Sequence, residues 1–128
     1  MLFNRKAANS EPNTVAPNFR IIMQVGDDER VYSLPLAPRM IVGRGGDTSV
    51  PQINLTRFDA AQFGVSRQHA AVVWDGETLH VEDLQSTNGT RINGKPIDPG
   101  ALYRLRNGDE LEFGSLRVRV RVVRAPDS

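Results

Sequence analysis

The end of the chain carries its plainest pattern. Leu116, Val118, Val120 and Val122 alternate with Arg117, Arg119 and Arg121, which puts the apolar set on one face of a strand and the arginines on the other. Leu111 and Phe113 alternate in the same way with Glu110 and Glu112, and Leu79 and Val81 with Thr78, His80 and Glu82. Turn signals separate such segments. Gly26-Asp27-Asp28 divides strands over 19–25 and 30–34, and Asp75-Gly76 divides strands over 68–74 and 78–83. Asn93-Gly94 and Asn107-Gly108 mark two further turns, since both dipeptides suit tight turns with positive φ. The stretch 45–64 reads as a long loop with a short strand near 52–55. No window long enough for a helix keeps a 3.6-residue apolar stripe. Short strands punctuated by glycine and proline predict an all-β domain, a sandwich or a barrel.

The ends differ from this middle. Residues 7–17, AANSEPNTVAP, are small, polar and proline-punctuated and bury too little to offset the entropy of ordering them. Residues 1–18 therefore read as a flexible N-terminal tail, 19–124 as one folded domain, and 125–128 as a short C-terminal tail. Leu2 and Phe3 are followed at once by Asn4, Arg5 and Lys6, so no signal-peptide core is present and a cytoplasmic location is the expectation.

Composition narrows the chemistry by exclusion. The 128 residues, 39% hydrophobic and 24% charged, are ordinary for one globular domain and predict no membrane span. A formal charge of +1 offers no global attraction for nucleic acid or an anionic membrane. The absence of cysteine removes disulfides, thiolate catalysis and thiolate metal sites. Any anion recognition must be local.

Three loops carry the residues for it: Gly43-Arg44, Ser66-Arg67-Gln68-His69 and Ser86-Thr87-Asn88-Gly89-Thr90, with Asn93-Gly94 behind. Together they offer a guanidinium, several hydroxyls and a carboxamide, donors suited to a phosphate and its peptide backbone. In this order, with strand-like segments between them, they closely resemble the forkhead-associated domain, a phosphothreonine-binding module, over roughly residues 19–124. The resemblance implies two packed, mostly antiparallel sheets with the recognition loops at one end. It also implies that Arg44, Ser66 and Thr87 contact phosphate, that Arg67 adds donors, and that Asn88 holds the main chain of the bound peptide. His69 is then architectural, as are Gly43, which would let the backbone approach the ligand, and Gly89, which would take a conformation closed to other residues. Ser86 and Asn93 are expected to brace the loops.

The partner implied is a protein bearing phosphothreonine written by a Ser/Thr kinase. The domain is expected to be a monomer that catalyses nothing, needs no metal or cofactor, and binds neither nucleic acid nor membrane. Three other readings compete. Ser66, His69 and Asp83 have the residue types of a hydrolase triad, but lack a glycine-flanked nucleophile elbow. The arginines of the last strand suggest a nucleic-acid face, without interleaved aromatics for base stacking. A scaffold that has lost phosphate binding is the third, weakened because every donor position is filled. Flanking preference is unreadable, since residues 62–65 (Gln-Phe-Gly-Val) carry no charge. Arg104 and Arg106 are taken as solvated loop charges. The resemblance also raises a phosphorylated tail at Thr14, but five extended residues to Phe19 span only about 17 Å, so self-occupation in cis is not expected.

Overall fold

The computed structural model of the protein describes residues 19–26, 30–45 and 49–124. The two expected tails, Thr14 and the Asp27-Asp28 turn lie outside the described residues. The strands are β1 (Phe19–Val25), β2 (Arg30–Pro35), β3 (Arg39–Gly43), β4 (Gln52–Asn54), β5 (Ala70–Trp74) and β6 (Leu79–Asp83). They continue with β7 (Thr90–Ile92), β8 (Lys95–Pro96), β9 (Tyr103–Leu105), β10 (Glu110–Phe113) and β11 (Leu116–Arg124). One sheet has the order β2-β1-β11-β10-β7-β8, the other β4-β3-β5-β6-β9. Every named strand pairing is antiparallel except β3 with β4. This is the all-β domain that the alternation predicts, in the mostly antiparallel two-sheet form that the resemblance implies.

The alternating positions build the core. Ile21, Met23 and Val25 of β1 face inward with Leu116, Val118 and Val120 of β11, against Val42, Val72 and Val81 of the other sheet. Arg117, Arg119 and Arg121 stand on the exposed face. There Arg117 sits opposite Glu112, Glu112 opposite Arg91, and Arg119 pairs with Glu110 at 3.8 Å. Acidic neighbours thus interrupt the arginine face, which weakens the nucleic-acid reading.

β3 and β9 are among the strands that the sequence pattern did not mark. β3 contains Met40-Ile41-Val42, all buried, so it shows a continuous apolar run rather than alternation. β9 lies where Arg104 and Arg106 were taken as loop charges; Arg104 instead belongs to this strand, opposite His80 on β6. The long loop 45–64 does contain the expected short strand, β4, followed by a 3-10 turn at Thr56–Phe58. Its Leu55, Phe58 and Ala60, with Val65, are buried and belong to the core. The Asp75-Gly76 turn is held by the Asp75 carboxylate, which accepts from Glu77 N, Thr78 N and Thr78 Oγ1 at 2.7–2.9 Å. These bonds, led by that from Thr78 N, lower the Asp75 pKa to about 2. An NMR titration should find it there; a value near 3.8, the ordinary one, would mean the turn is open in solution.

Strand register sets the two poles. Val42 of β3 is opposite Ala70, Ala70 opposite Asp83, and Phe113 opposite both Thr90 and Leu116. The links after β3, before β5, after β6 and between β10 and β11 therefore emerge at one pole. Phe19, Trp74 and Leu105 mark the other, where Arg104 and Arg106 line an open cavity of about 380 Å³.

Candidate functional site

At the loop pole, backbone and side-chain bonds tie the three motifs together. Arg44 N donates to Ser66 O at 3.2 Å, and the exposed Arg44 side chain is steadied by Nε donating to Val65 O at 2.6 Å. Its two terminal nitrogens have no hydrogen-bond partner among the described residues. The fork is thus aimed by one edge with the other left for a ligand. Thr56 Oγ1, 2.7 Å from Arg44 O, and Asn54 Oδ1, which accepts from Thr56 N at 2.9 Å, fix the chain just beyond. These two supports were missed in the sequence, where they were part of a polar stretch with no motif.

Gly43 makes a close approach that the sequence did not indicate. A Cβ there would lie 1.9 Å from Arg67 O and 2.6 Å from Ser66 O. The space is needed by the backbone of the second loop. Glycine lets β3 touch the Ser66-Arg67 peptide and so sets Arg44 beside Ser66.

The buried His69 joins the second loop to the third. Nδ1 accepts from Ser66 N at 3.0 Å, and Nε2–H donates to Gly89 O at 2.8 Å, which requires the neutral Nε2 tautomer. Burial lowers its pKa, against the opposing pull of the Gly89 carbonyl and of Asp83. Gly89 takes φ +82° with open space around it, as expected of a position closed to other residues. Its carbonyl also accepts from Gly114 N at 2.9 Å, which ties the β10–β11 turn to the same loop.

Asp83, nearly inaccessible, organises the third loop from below. Its carboxylate accepts from Ser86 Oγ and Thr90 Oγ1, both at 2.6 Å, and from Ser86 N at 3.1 Å, while Ser86 Oγ accepts from Gly89 N at 3.0 Å. Burial alone would raise the Asp83 pKa, but these bonds and nearby His69 outweigh it and the pKa is lowered. The stability it contributes is present above the unfolded value, 3.8, and is lost as pH falls through the folded value. Asp83→Asn puts an amide N–H against a donor in either orientation and should cost about 1–3 kcal/mol. An unchanged urea midpoint would contradict this bracing role.

The exposed side chains complete the site. Ser66 Oγ accepts from Thr87 N at 3.2 Å, which leaves its own proton free to donate outward. Thr87 and Arg67 are exposed, with no side-chain partner among the described residues. Asn88 Nδ2 donates to Gly64 O at 2.9 Å, leaving a second N–H and Oδ1. Arg44, Ser66, Thr87 and Asn88 are thus brought together. Asn93 is not: it bonds Asp109 Oδ1 and Glu110 N at the start of β10, away from the loops.

No hydrolase triad is assembled. Both nitrogens of His69 are engaged by backbone groups rather than by Ser66 Oγ, and the Asp83 carboxylate is held by Ser86 and Thr90. Among the described residues no cluster of three or more His, Asp or Glu could hold a metal ion. None of their helices is long and apolar enough to cross a membrane.

The family model for the FHA domain matches residues 40–114, a span that holds all three loops. Among curated proteins, the chain is 32% identical over 93 residues to Protein FraH of Nostoc sp., covering 73% of this chain and 32% of that one. It is 35% identical over 103 residues to the FHA domain-containing protein FhaA of Mycobacterium tuberculosis, covering 80% of this chain and 17% of that one. The chain thus spans a third or less of the length of these relatives. Among solved structures, one from a study of phosphothreonine-dependent FHA domain interactions superimposes with a TM-score of 0.61 at 32% identity, covering 80% of this chain and 95% of the other. The FhaA FHA domain complexed with the intracellular domain of Rv3910 superimposes at 0.59 with 33% identity, covering 79% of this chain and 99% of the other. The motif loops, the two-sheet fold that gathers them and the match across both make this chain a member of the forkhead-associated (FHA) domain family.

Proposed function

We propose that this FHA domain recruits a protein bearing phosphothreonine, and that it acts by binding rather than by catalysis. The observation that carries the reading is the convergence at one pole of a half-anchored Arg44 fork with the hydroxyl of Ser66. A phosphothreonine brings about −1.5 to −2 charges and three acceptor oxygens. Arg44 supplies the paired, charge-assisted donors; Ser66 and Thr87 supply neutral ones; Arg67 adds positive charge at the rim. Asn88 keeps a donor and an acceptor for the ligand's main chain, and a carboxylate in its place would repel the phosphate. FHA domains are interaction modules, and the similarity to structures from phosphothreonine-dependent interactions supports the same ligand here.

Charge-assisted bonds contribute about 1.5–3 kcal/mol each. After the entropy of ordering a peptide is subtracted, the site should reach micromolar affinity, roughly −8 kcal/mol. In this reading a Ser/Thr kinase in the cytoplasm writes the mark and the domain reads it as a monomer. Thr14 is not proposed as a ligand in cis: Phe19 stands at the pole opposite the loops, and the seven residues of β1 alone span about 23 Å, more than the tail's five can reach. The test is a polarisation titration with degenerate peptide pools in phosphothreonine, phosphoserine and unmodified forms. Micromolar binding by the phosphothreonine pool alone is expected; equal binding by the unmodified pool would refute the proposal.

A further inference from the structure

Arg57 lies outside the machinery described so far, yet its exposed side chain packs against two aromatic rings. Its guanidinium carbon stands 4.7 Å from the centroid of the Tyr32 ring and 5.0 Å from that of Phe58. The two rings pack on each other at 5.9 Å, and Phe58 is buried. Arg30 places a second guanidinium over Phe58, also at 5.0 Å. A guanidinium held against aromatic rings is attracted by their π-systems and keeps its N–H groups available to an anion. Among the described residues those of Arg57 have no hydrogen-bond acceptor and no ion-pair partner. The rings therefore place the cation, and no acidic group among the described residues neutralises it.

The position of this cation gives it meaning. Tyr32, Asn54, Thr56 and Arg57 line an open cleft of about 350 Å³. Two of them also build the wall of the Arg44 loop: Thr56 Oγ1 touches Arg44 O at 2.7 Å, and the Asn54 amide nitrogen lies 2.8 Å from where a Gly45 Cβ would be. Asn54 is opposite Gly43 in the β3–β4 pair, and Arg57 is three residues on. The succession Asn88, Thr87, Ser66, Arg44, Thr56, Arg57 thus runs across the pole, with the phosphate donors in the middle and Arg57 at one end. Arg57 follows directly on Thr56, whose Oγ1 bonds the Arg44 carbonyl.

We propose that this cleft is a second anion subsite of the phosphopeptide site. In it Arg57 takes a carboxylate or a second phosphate carried by the same peptide, a few residues to one side of the phosphothreonine. The proposal rests on the phosphothreonine reading and adds to it the flanking preference that residues 62–65 do not reveal. Both anions present paired oxygens to the same planar fork, so the test separates them.

A phosphothreonine peptide with alanine flanks is compared with variants in which one Asp, or one phosphoserine, is walked from four residues before the mark to four after. Each is titrated against wild type, Arg57→Gln, Arg57→Lys and, as a distant arginine, Arg121→Gln. Asp at positions on one side should tighten wild-type binding about three- to tenfold, and phosphoserine there should do so further if the source is a second phosphate. The ratio should collapse to within about twofold in Arg57→Gln, survive in part in Arg57→Lys, and persist in Arg121→Gln. Phosphate-dependent binding without a flank effect, or with the same effect in Arg57→Gln, would overturn the subsite alone. Failure of every phosphothreonine peptide to bind would overturn the phosphothreonine reading and the subsite with it.

Discussion

Gly43→Ala is expected to destabilise the domain by about 3 kcal/mol or more, the largest effect of adding a single methyl anywhere in the site. The new Cβ would meet Arg67 O at 1.9 Å and Ser66 O at 2.6 Å, and these are main-chain atoms with little freedom to retreat. Ser66 O holds Arg44 N, Gly43 O holds Leu55 N at 2.8 Å, and Val42 O holds His69 N at 2.8 Å. Relief requires the Ser66-Arg67 peptide to leave β3, which would break the contacts that place Arg44. Gly89→Ala is the control for mere backbone strain, because φ +82° is unfavourable there but no atom lies within 4 Å of the added carbon. It should cost about 1 kcal/mol. Urea midpoints for the pair decide the matter: equal losses would mean the close approach at Gly43 relaxes at little cost.

His69→Ala should rival it, at about 3–5 kcal/mol. The ring is inaccessible and packs edge-on to Phe113, with centroids 5.6 Å apart and planes at 81°. Truncation leaves a cavity, strands the Ser66 amide and removes one of the two donors to Gly89 O. The same geometry sets a pH dependence. A protonated His69 would turn a second N–H toward the Ser66 N–H, so the folded state holds the ring neutral and its pKa is lowered. The associated stability is full above the unfolded value, 6.5, and falls away as pH drops through the folded value. Because Ser66 and Gly89 belong to the loops proposed to hold the phosphate, ligand affinity should weaken over the same interval. Urea midpoints and peptide affinities measured as pH is lowered from 7 would test this; values that rise on acidification would contradict it.

Much of the fold was legible because these strands bury one face. The alternation along β11, β10 and β6 declares which side chains go inward, and Asp75-Gly76 marks the link between β5 and β6. β3 was not legible for the opposite reason: Met40, Ile41 and Val42 are all buried, and the period vanishes. β9 has three residues flanked by exposed positions, too short for a period to show.

The recognition motifs stood out because each places special chemistry in a loop. Their supports did not. Thr56 acts through a short bond to the Arg44 carbonyl, which only the fold brings near, and Asn54 supports it by accepting from Thr56 N. The role of Gly43 likewise depends on a loop more than twenty positions away. Glycine in the sequence signals freedom or closeness, and only the packing says what is close.

In the proposed function Arg44 is the cation that receives the phosphate. The most direct test is an isothermal titration of one phosphothreonine peptide into wild type, Arg44→Ala and Arg44→Lys, with circular dichroism and urea midpoints to confirm that each is folded. The account predicts micromolar binding by wild type, none detectable in Arg44→Ala, and a marked weakening in Arg44→Lys, which keeps the charge but loses the fork. A folded Arg44→Ala protein that binds the peptide with wild-type affinity would contradict it.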